Sequence, residues 1–132
     1  MTNLETAIKN SETRFFKAVF PNTTNHYDTL FGGQTLHMMD EASFICATRF
    51  SRKKVVTVSS DRVDFNKPIP QGSIVELIAN VTRVGKTSCT VTVEVFMEDM
   101  YNYNREKVVN GSFTFVAIGE DKKPIPIFDG ED

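Results

Sequence analysis

The sequence predicts an α+β fold in which an antiparallel sheet of about five strands wraps around one long central helix. Apolar residues recur at steps of three and four between residues 34 and 52, which is the spacing of a buried helix face. Segments rich in β-branched and aromatic residues, typical of strands, occur at 14–20, 55–65, 73–84, 87–98 and 107–118. The connections between the later strands are short, which favours antiparallel pairing.

Each element has a boundary in the sequence. The first strand ends before Pro21, which has no N–H to donate to a ladder. Residues 21–33 are rich in Asn, Thr, Asp and Gly, as is typical of a loop, and the helix follows. The later strands are separated by breaks at 67–72, 84–86 and 100–104. The acidic, proline-containing end of the chain is typical of a tail.

Length and composition indicate one globular domain. The chain has 132 residues, of which 40% are hydrophobic and 24% charged. We therefore expect a single domain over 1–132, with loose tails at 1–13 and 128–132. The formal net charge of −2 argues against a nucleic-acid partner, because that partner requires a basic face.

The ends and the cysteines predict a cytoplasmic protein. The first residues are polar, and no apolar run approaches the ~20 residues that cross a bilayer, so we expect neither a secretory signal nor a membrane partner. Cys46 and Cys89 form no CxxC motif and are not at metal-ligand spacing with His26 and His37. We expect free, buried thiols and no bound metal.

Asp40 is the most informative polar residue of the predicted helix. Met38, Met39 and Ala42 surround it, and a carboxylate set in an apolar wall is a candidate general base or nucleophile. The alternative is a solvated acid that suits the helix dipole. Glu41, the next residue, points elsewhere and is expected to be exposed.

Two groups near the helix start are further candidates. After Gly32 and Gly33, the free N–H groups of the first turn can stabilise an oxyanion or bind an anion, although an ordinary loop-to-helix turn has the same sequence. The amide of Asn25 can hold a water or a carbonyl, or it can simply shape the loop. His37 lies three residues before Asp40, so it either pairs with Asp40 as a catalytic dyad or is a histidine of the helix surface. His26 is expected to be exposed.

The connection between the strands at 73–84 and 87–98 is a candidate anion site. Gly85 permits a turn, Arg83 and Lys86 flank it, and the hydroxyls of Thr87 and Ser88 follow. The same residues also suit a plain hairpin with solvated cations. No nucleotide P-loop is present, because the GxxxxGK[ST] pattern is absent.

Taken in order, these segments resemble the acyl-CoA thioesterases of the hot-dog superfamily, in the acyl-coenzyme A hydrolase branch. The segments that carry the resemblance are 21–25, 29–33, 39–42, 55–57, 61–65 with Pro68 and Gly72, 84–88, 113–117 and 123–126. They cover nearly the whole chain, from residue 14 to residue 127. Each segment is short, and their order and spacing together make the match specific.

The resemblance implies hydrolysis of acyl-CoA, a substrate of fatty acid metabolism, to a free acid and CoA. It implies a homodimer with one continuous sheet, commonly assembled into trimers of dimers. Asp40 of one subunit then acts as general base or attacks the carbonyl, while Asn25 of the other positions the water or the carbonyl. Asp40 lies about 10 Å along the helix from Gly33, so it serves the partner's oxyanion site rather than its own.

Further roles follow from the same reading. Backbone N–H groups near Gly33 and Gln34 hold the carbonyl oxygen, and Thr57 assists from the following strand. The residues expected to bind the pantetheine and phosphate end of CoA are Gly32, Arg62, Arg83, Gly85, Lys86, Thr87 and Ser88. No metal or redox cofactor is expected. Asp28 stands where relatives usually have glycine, which affects the expected substrate preference.

Two other functions remain open at this point. One is a hydratase or dehydratase acting on acyl thioesters, which usually pairs a catalytic histidine with an acid. The other is a regulatory domain that binds acyl-CoA without hydrolysing it.

Overall fold

The computed structural model describes residues 3–21, 24, 26, 30 and 32–130. Within these residues, two helices and six strands follow one another. Their bounds are α1 Leu4–Asn10, β1 Thr13–Ala18, α2 Gly32–Ser51, β2 Lys54–Ser60, β3 Asp64–Phe65, β4 Ser73–Val84, β5 Ser88–Asp99 and β6 Arg105–Ile118. None of the helices in the described residues is long and apolar enough to cross a membrane.

The strands form one antiparallel sheet that curls around α2. The strand order is β1-β4-β5-β6-β2, with β3 pairing separately with β6. α2 contacts β1, β2, β4, β5 and β6, so the helix lies across the concave face of the whole sheet. The predicted α+β architecture of a sheet around one helix is confirmed.

The burial pattern of α2 explains this packing. Met39, Ala42 and Cys46 are fully buried and follow one another at steps of three and four, as the sequence predicts. The buried residues of β5 alternate with partly exposed ones, and Val91, Val93 and Val95 are fully buried. The helix and the sheet therefore each have one apolar face, and the two faces pack together to form the core.

The N-terminal residues form a docked helix where the sequence suggests a loose tail. The Asn3 side chain accepts a hydrogen bond from the Thr6 N–H at 2.8 Å and so caps α1. At the other end, Arg49 donates to the Asn10 carbonyl at 2.9 Å and the Glu12 carbonyl at 2.8 Å. A cation on α2 thus satisfies carbonyls at the C-terminal end of α1.

The C-terminal residues are also held, up to residue 130. The Ile127 side chain is fully buried, and its N–H donates to the Lys86 carbonyl at 3.0 Å. Phe128 stacks on Phe50 with ring centroids 5.5 Å apart, and Lys53 pairs with Asp129 at 2.8 Å. The segment predicted as a tail therefore closes one end of the core.

The stretch 55–65, predicted as one strand, is two strands. β2 ends at Ser60, and β3 begins only at Asp64. Between them Val63 packs so closely on β6 that a Cβ at Gly111 would lie 2.9 Å from it. The chain therefore bends across β6 at this point, and the glycine permits the close approach.

Candidate active site

A cleft between the exposed side of α2 and β2 brings together three of the residues predicted from the sequence. It has a volume of about 380 Å³ and is lined by Gly33, Leu36, His37, Asp40, Thr57, Ser60 and Phe113. Of these, Gly33, Asp40 and Thr57 are predicted catalytic residues. We refer to this as the Asp40 cleft.

Asp40 lies on the exposed side of α2, opposite the core face. Leu36 and Phe44 flank it at i−4 and i+4 with exposed fractions of 41% and 46%. Within the described part of the chain, no cation pairs with the Asp40 carboxylate. The apolar wall expected around the carboxylate from Met38, Met39 and Ala42 is not there, because these three side chains are buried in the core on the other face of α2. The apolar neighbours of Asp40 are Leu36 and Phe44 along the helix, and its third side is open.

A β-bulge in β2 aims two hydroxyl-bearing residues at this cleft. Thr57 pairs with Phe115 and Ser59 with Thr114, so Val58 is an extra residue in β2. In a regular strand, side chains three residues apart point to opposite faces of the sheet. The extra residue between Thr57 and Ser60 shifts the alternation by one, so these two side chains point to the same face. Thr57 and Ser60 therefore both line the cleft, and Ser60 is a site residue that sequence reasoning missed, because no sequence signal marks this bulge.

The start of α2 supplies backbone donors at one end of the cleft. The first N–H groups of an α-helix have no partner within the helix, and those near Gly33 and Gln34 belong to this set. Gly33 lines the cleft, whereas Gln34 is half-buried beside it. Seven residues separate Gly33 from Asp40, so they lie about 10 Å apart along the helix.

The histidines differ in position. His37 is exposed and lines the Asp40 cleft one turn before Asp40, whereas His26 is an exposed residue of the preceding loop. Asn25 and Asp28 lie outside the described residues, so the predicted role of Asn25 stays a prediction.

The residues predicted to bind CoA fall into separate groups. Gly32 lines a neighbouring cleft of about 220 Å³ with Leu30, Phe65 and Lys67, among others. Arg62 is largely exposed and pairs with Asp64 at 2.6 Å. Neither residue lines the Asp40 cleft.

The remaining predicted CoA-binding residues form the β4–β5 hairpin turn. The Gly85 N–H donates to the Ser88 carbonyl at 2.7 Å, which closes the turn. Arg83 and Lys86 are exposed and make no ion pair with the rest of the described chain. Ser88 pairs with Val116 of β6, which pairs with Val56, so the turn lies two strands, or about 10 Å, from β2.

Cys46 and Cys89 are free and buried, as expected. Burial raises the pKa of the Cys46 thiol and raises that of Cys89 to about 12. In the described residues, no three His, Cys, Asp or Glu side chains are grouped so that they could hold a metal ion.

Comparison with known proteins shows the relationship of this chain. Residues 27–103 match the profile of the Thioesterase superfamily. The uncharacterized acyl-CoA thioester hydrolase YkhA of Bacillus subtilis is 41% identical over 124 residues, which is 88% of this chain and 72% of that protein. An acyl-CoA hydrolase of Staphylococcus aureus, solved with butyryl coenzyme A and coenzyme A, is 35% identical with a TM-score of 0.86, over 95% of this chain and 77% of that chain.

Further solved structures extend the comparison. Variants of the S. aureus enzyme with an aspartate, a threonine or an asparagine replaced by alanine match with TM-scores of 0.85 to 0.86. An apo-hexameric acyl-CoA thioesterase is 35% identical with a TM-score of 0.89, over 94% of this chain and 80% of that chain. The fold is the hot-dog fold expected from the resemblance, and the chain belongs to the thioesterase superfamily.

Proposed function

We propose that this protein is an acyl-CoA thioesterase, which hydrolyses acyl-CoA thioesters to a free acid and CoA. The observation that carries this function is the Asp40 cleft, where a carboxylate, a hydroxyl and a helix start come together in a member of this family. The S. aureus acyl-CoA hydrolase, solved with a CoA thioester bound, has the same fold over most of the chain. The variants of that enzyme replace an aspartate, a threonine and an asparagine by alanine, and these are the residue types of Asp40, Thr57 and Asn25.

The chemistry needs an oxyanion site and an activated oxygen. In the proposed reaction, N–H groups near Gly33 and Gln34 donate to the thioester carbonyl as negative charge develops on its oxygen. Asp40 either removes a proton from the attacking water or attacks the carbonyl carbon to form an anhydride that water then hydrolyses. In both routes the CoA thiolate leaves, and Thr57 orients the attacking group.

The proposed catalytic unit is a homodimer. Asp40 lies between the exposed apolar side chains of Leu36 and Phe44, and a partner that packs on the Leu36 side would remove the carboxylate from water on its open side. Among the described residues β2 pairs only with β6, so its other edge is available to extend the sheet into a second subunit. In this dimer each oxyanion site faces the partner's Asp40, and Asn25 reaches the partner's cleft. Hexameric relatives support a trimer of such dimers.

The CoA portion is proposed to extend toward the hairpin turn. Arg83 and Lys86 form no ion pair within the described residues, and Thr87 and Ser88, which carry hydroxyls, follow them in the turn. Phosphate recognition by such a set is charge-assisted. The two-strand distance from β2 fits an extended ligand rather than a compact one. Gly32 and Arg62 are proposed to contact the same ligand from their own positions.

The proposed reaction uses water, a carboxylate and backbone donors, so we propose that it requires no metal or redox cofactor. We also propose a cytoplasmic location and no nucleic-acid partner, in keeping with the net charge of −2 and the absence of disulfides from the described chain.

Asp40→Asn tests the assignment. The amide keeps the shape of the side chain but removes the base or nucleophile, so kcat should fall by at least about a hundredfold. The measurement is CoA thiol release over acyl chains from short to long, with circular dichroism and mass confirming fold and assembly. Glu41→Gln is the matched control, since it removes one carboxylate from the same helix and should leave the rate unchanged. Near-normal turnover by Asp40→Asn would refute the proposal.

His37 in the same cleft keeps an acyl-thioester hydratase as the second candidate. The two activities have different products: a hydratase adds water to the acyl chain and releases no thiol. Thiol release from a saturated acyl-CoA therefore identifies the thioesterase, and a protein that binds acyl-CoA without releasing thiol is a binding domain.

A further inference from the structure

A second cleft continues the groove between α2 and β2 beyond the Asp40 cleft. It has a volume of about 500 Å³ and is lined by Phe44, Thr48, Arg52, Lys53, Lys54 and Val55. We refer to it as the Thr48 cleft. Helix residues at steps of four connect the two clefts, because each side chain lies beside the next, in the order Leu36, Asp40, Phe44 and Thr48. Arg52 directly follows the end of α2.

The lining of the Thr48 cleft is apolar at the base and cationic at the rim. Phe44 and Val55 supply the apolar surface. The charge of Lys53 is already paired, since its ammonium lies 2.8 Å from the Asp129 carboxylate and also donates to the Pro126 carbonyl. Arg52 and Lys54 are exposed and have no ion pair or side-chain hydrogen bond within the described chain. The charges of Arg52 and Lys54 at this rim therefore have no counterpart among the described residues.

Thr48 adds an unsatisfied hydroxyl. Its Oγ1 is buried and has no hydrogen-bond partner, which holds for no other buried side-chain N or O atom in the described residues. A helical threonine ordinarily bonds the carbonyl one turn earlier, and a native buried polar atom without a partner calls for an explanation. Threonine in a helix occupies two χ1 rotamers, and rotation between them turns the hydroxyl toward the cleft that the residue lines.

We propose that the Thr48 cleft binds the far end of the acyl group, and that this end carries a carboxylate. The preferred substrates are then CoA monothioesters of dicarboxylic acids. This inference rests on the proposed function, because Asp40 marks the position of the thioester. A carboxylate at the rim accepts hydrogen bonds from Thr48 and from Arg52 or Lys54, while the methylene chain covers Phe44 and Val55.

The spacing along α2 sets the chain length. Eight residues separate Asp40 from Thr48, or about 12 Å along the helix axis. An extended chain advances about 1.2 Å per bond, so about ten carbons join a thioester at Asp40 to a carboxylate at Thr48. A much shorter dicarboxylic chain would place its charge short of Thr48, against the apolar ring of Phe44.

The test compares decanedioyl-CoA with decanoyl-CoA, which differ only at the end distant from CoA. In the wild-type protein, kcat/KM for decanedioyl-CoA should be about tenfold higher, the size expected of one charge-assisted hydrogen bond. Thr48→Val, Lys54→Gln and Arg52→Asn should each reduce that preference while hydrolysis of decanoyl-CoA stays within about twofold. Asn is chosen at Arg52 because φ is 57° there and Asn tolerates the left-handed region. Lys9→Gln, an exposed lysine on α1, is the control.

Several results would overturn the inference. Equal kcat/KM for both thioesters in the wild type would show that the cleft does not recognise a carboxylate. If the variants lose the same fraction of kcat/KM on both thioesters, the cations contact the CoA portion, which the two thioesters share. A change of molecular mass in Thr48→Val would show that the Thr48 side chain holds a second subunit rather than a ligand. Titration of Asp40→Asn with both thioesters measures the same preference as a Kd ratio, so the inference is decided even if the wild type hydrolyses neither and the proposed function fails.

Discussion

At the scale of single residues, Asp40 illustrates how one helix separates structure from chemistry. Its neighbours Met39 and Ala42 are fully buried and belong to the core, while Asp40 faces the groove beside β2. A substitution at Met39 would therefore act through the core, and one at Asp40 would act through the cleft. This separation makes Asp40→Asn an interpretable test, since the fold places no structural demand on the carboxylate.

Cys89 gives a prediction on pH dependence. Burial raises its thiol pKa to about 12, above the ordinary value of 9.0 that applies in the unfolded chain. Between these values the unfolded chain loses a proton that the folded one keeps, so its contribution to stability is full below pH 9.0 and is lost as pH rises toward about 12. The loss amounts to about 1.4 kcal/mol per pH unit. Urea unfolding of the wild type and Cys89→Ala across this range measures it.

The difference between the two proteins isolates the thiol, because other groups that titrate above pH 9.0 are common to both. The wild type should lose stability more steeply than Cys89→Ala. Parallel curves would mean that the thiolate is accommodated in the folded protein.

At the scale of elements, the segment after β6 acts as part of the core. Ile127 is fully buried, and Ile125 and Ile127 donate backbone hydrogen bonds to Ala117 and Lys86. Ile127→Ala should lower the free energy of unfolding by about 2–4 kcal/mol, since it removes a buried side chain and leaves a cavity. Urea unfolding measures this, and Tyr103→Ala, at a fully exposed position, is the control with an expected change within about 0.5 kcal/mol. A comparable effect of the two substitutions would mean that the segment is not docked.

The sequence correctly predicts the elements in which apolar residues recur with a regular period. α2 and the three long strands β4, β5 and β6 repeat their apolar residues over several periods, and their bounds agree with the structure within about two residues. Ile127 and Phe128 have no such repeat: they are two adjacent apolar residues in a short, proline-containing stretch. Their burial depends on Phe50 and the hairpin turn, which are distant in sequence.

The candidate site divides in the same way. Asp40 and Gly33 share one helix, so its period places both on the groove side, and the strand after the helix brings Thr57 to them. Ser60 lines the cleft only because Val58 is an extra residue in β2, and the sequence around Val58 is that of an ordinary strand. Thr48 became visible only through its missing hydrogen-bond partner, which is a property of packing.

At the scale of the whole molecule, the groove features point to the same missing surface. Within the described residues, β2 is paired along one edge alone. Val56 and Val58 are its exposed apolar side chains, and Leu36 and Phe44 are exposed on the helix that borders the groove. Both the Asp40 cleft and the Thr48 cleft lie along this boundary. Extension of the sheet across the free edge of β2 would cover it, and the proposed active site depends on that second subunit.

Val58→Pro tests this dependence. Val58 is the extra residue of the bulge, has no paired residue in β6 and has a side chain that is 55% exposed. Proline there cannot donate to a strand added across the free edge of β2. We expect the mass measured by light scattering to fall to that of a monomer and kcat to fall by at least about tenfold, because Asp40 and the oxyanion site no longer meet. Val58→Thr, which keeps the N–H and the β-branched shape, should retain both mass and activity. A monomeric Val58→Pro with wild-type turnover would show that one chain contains the complete site.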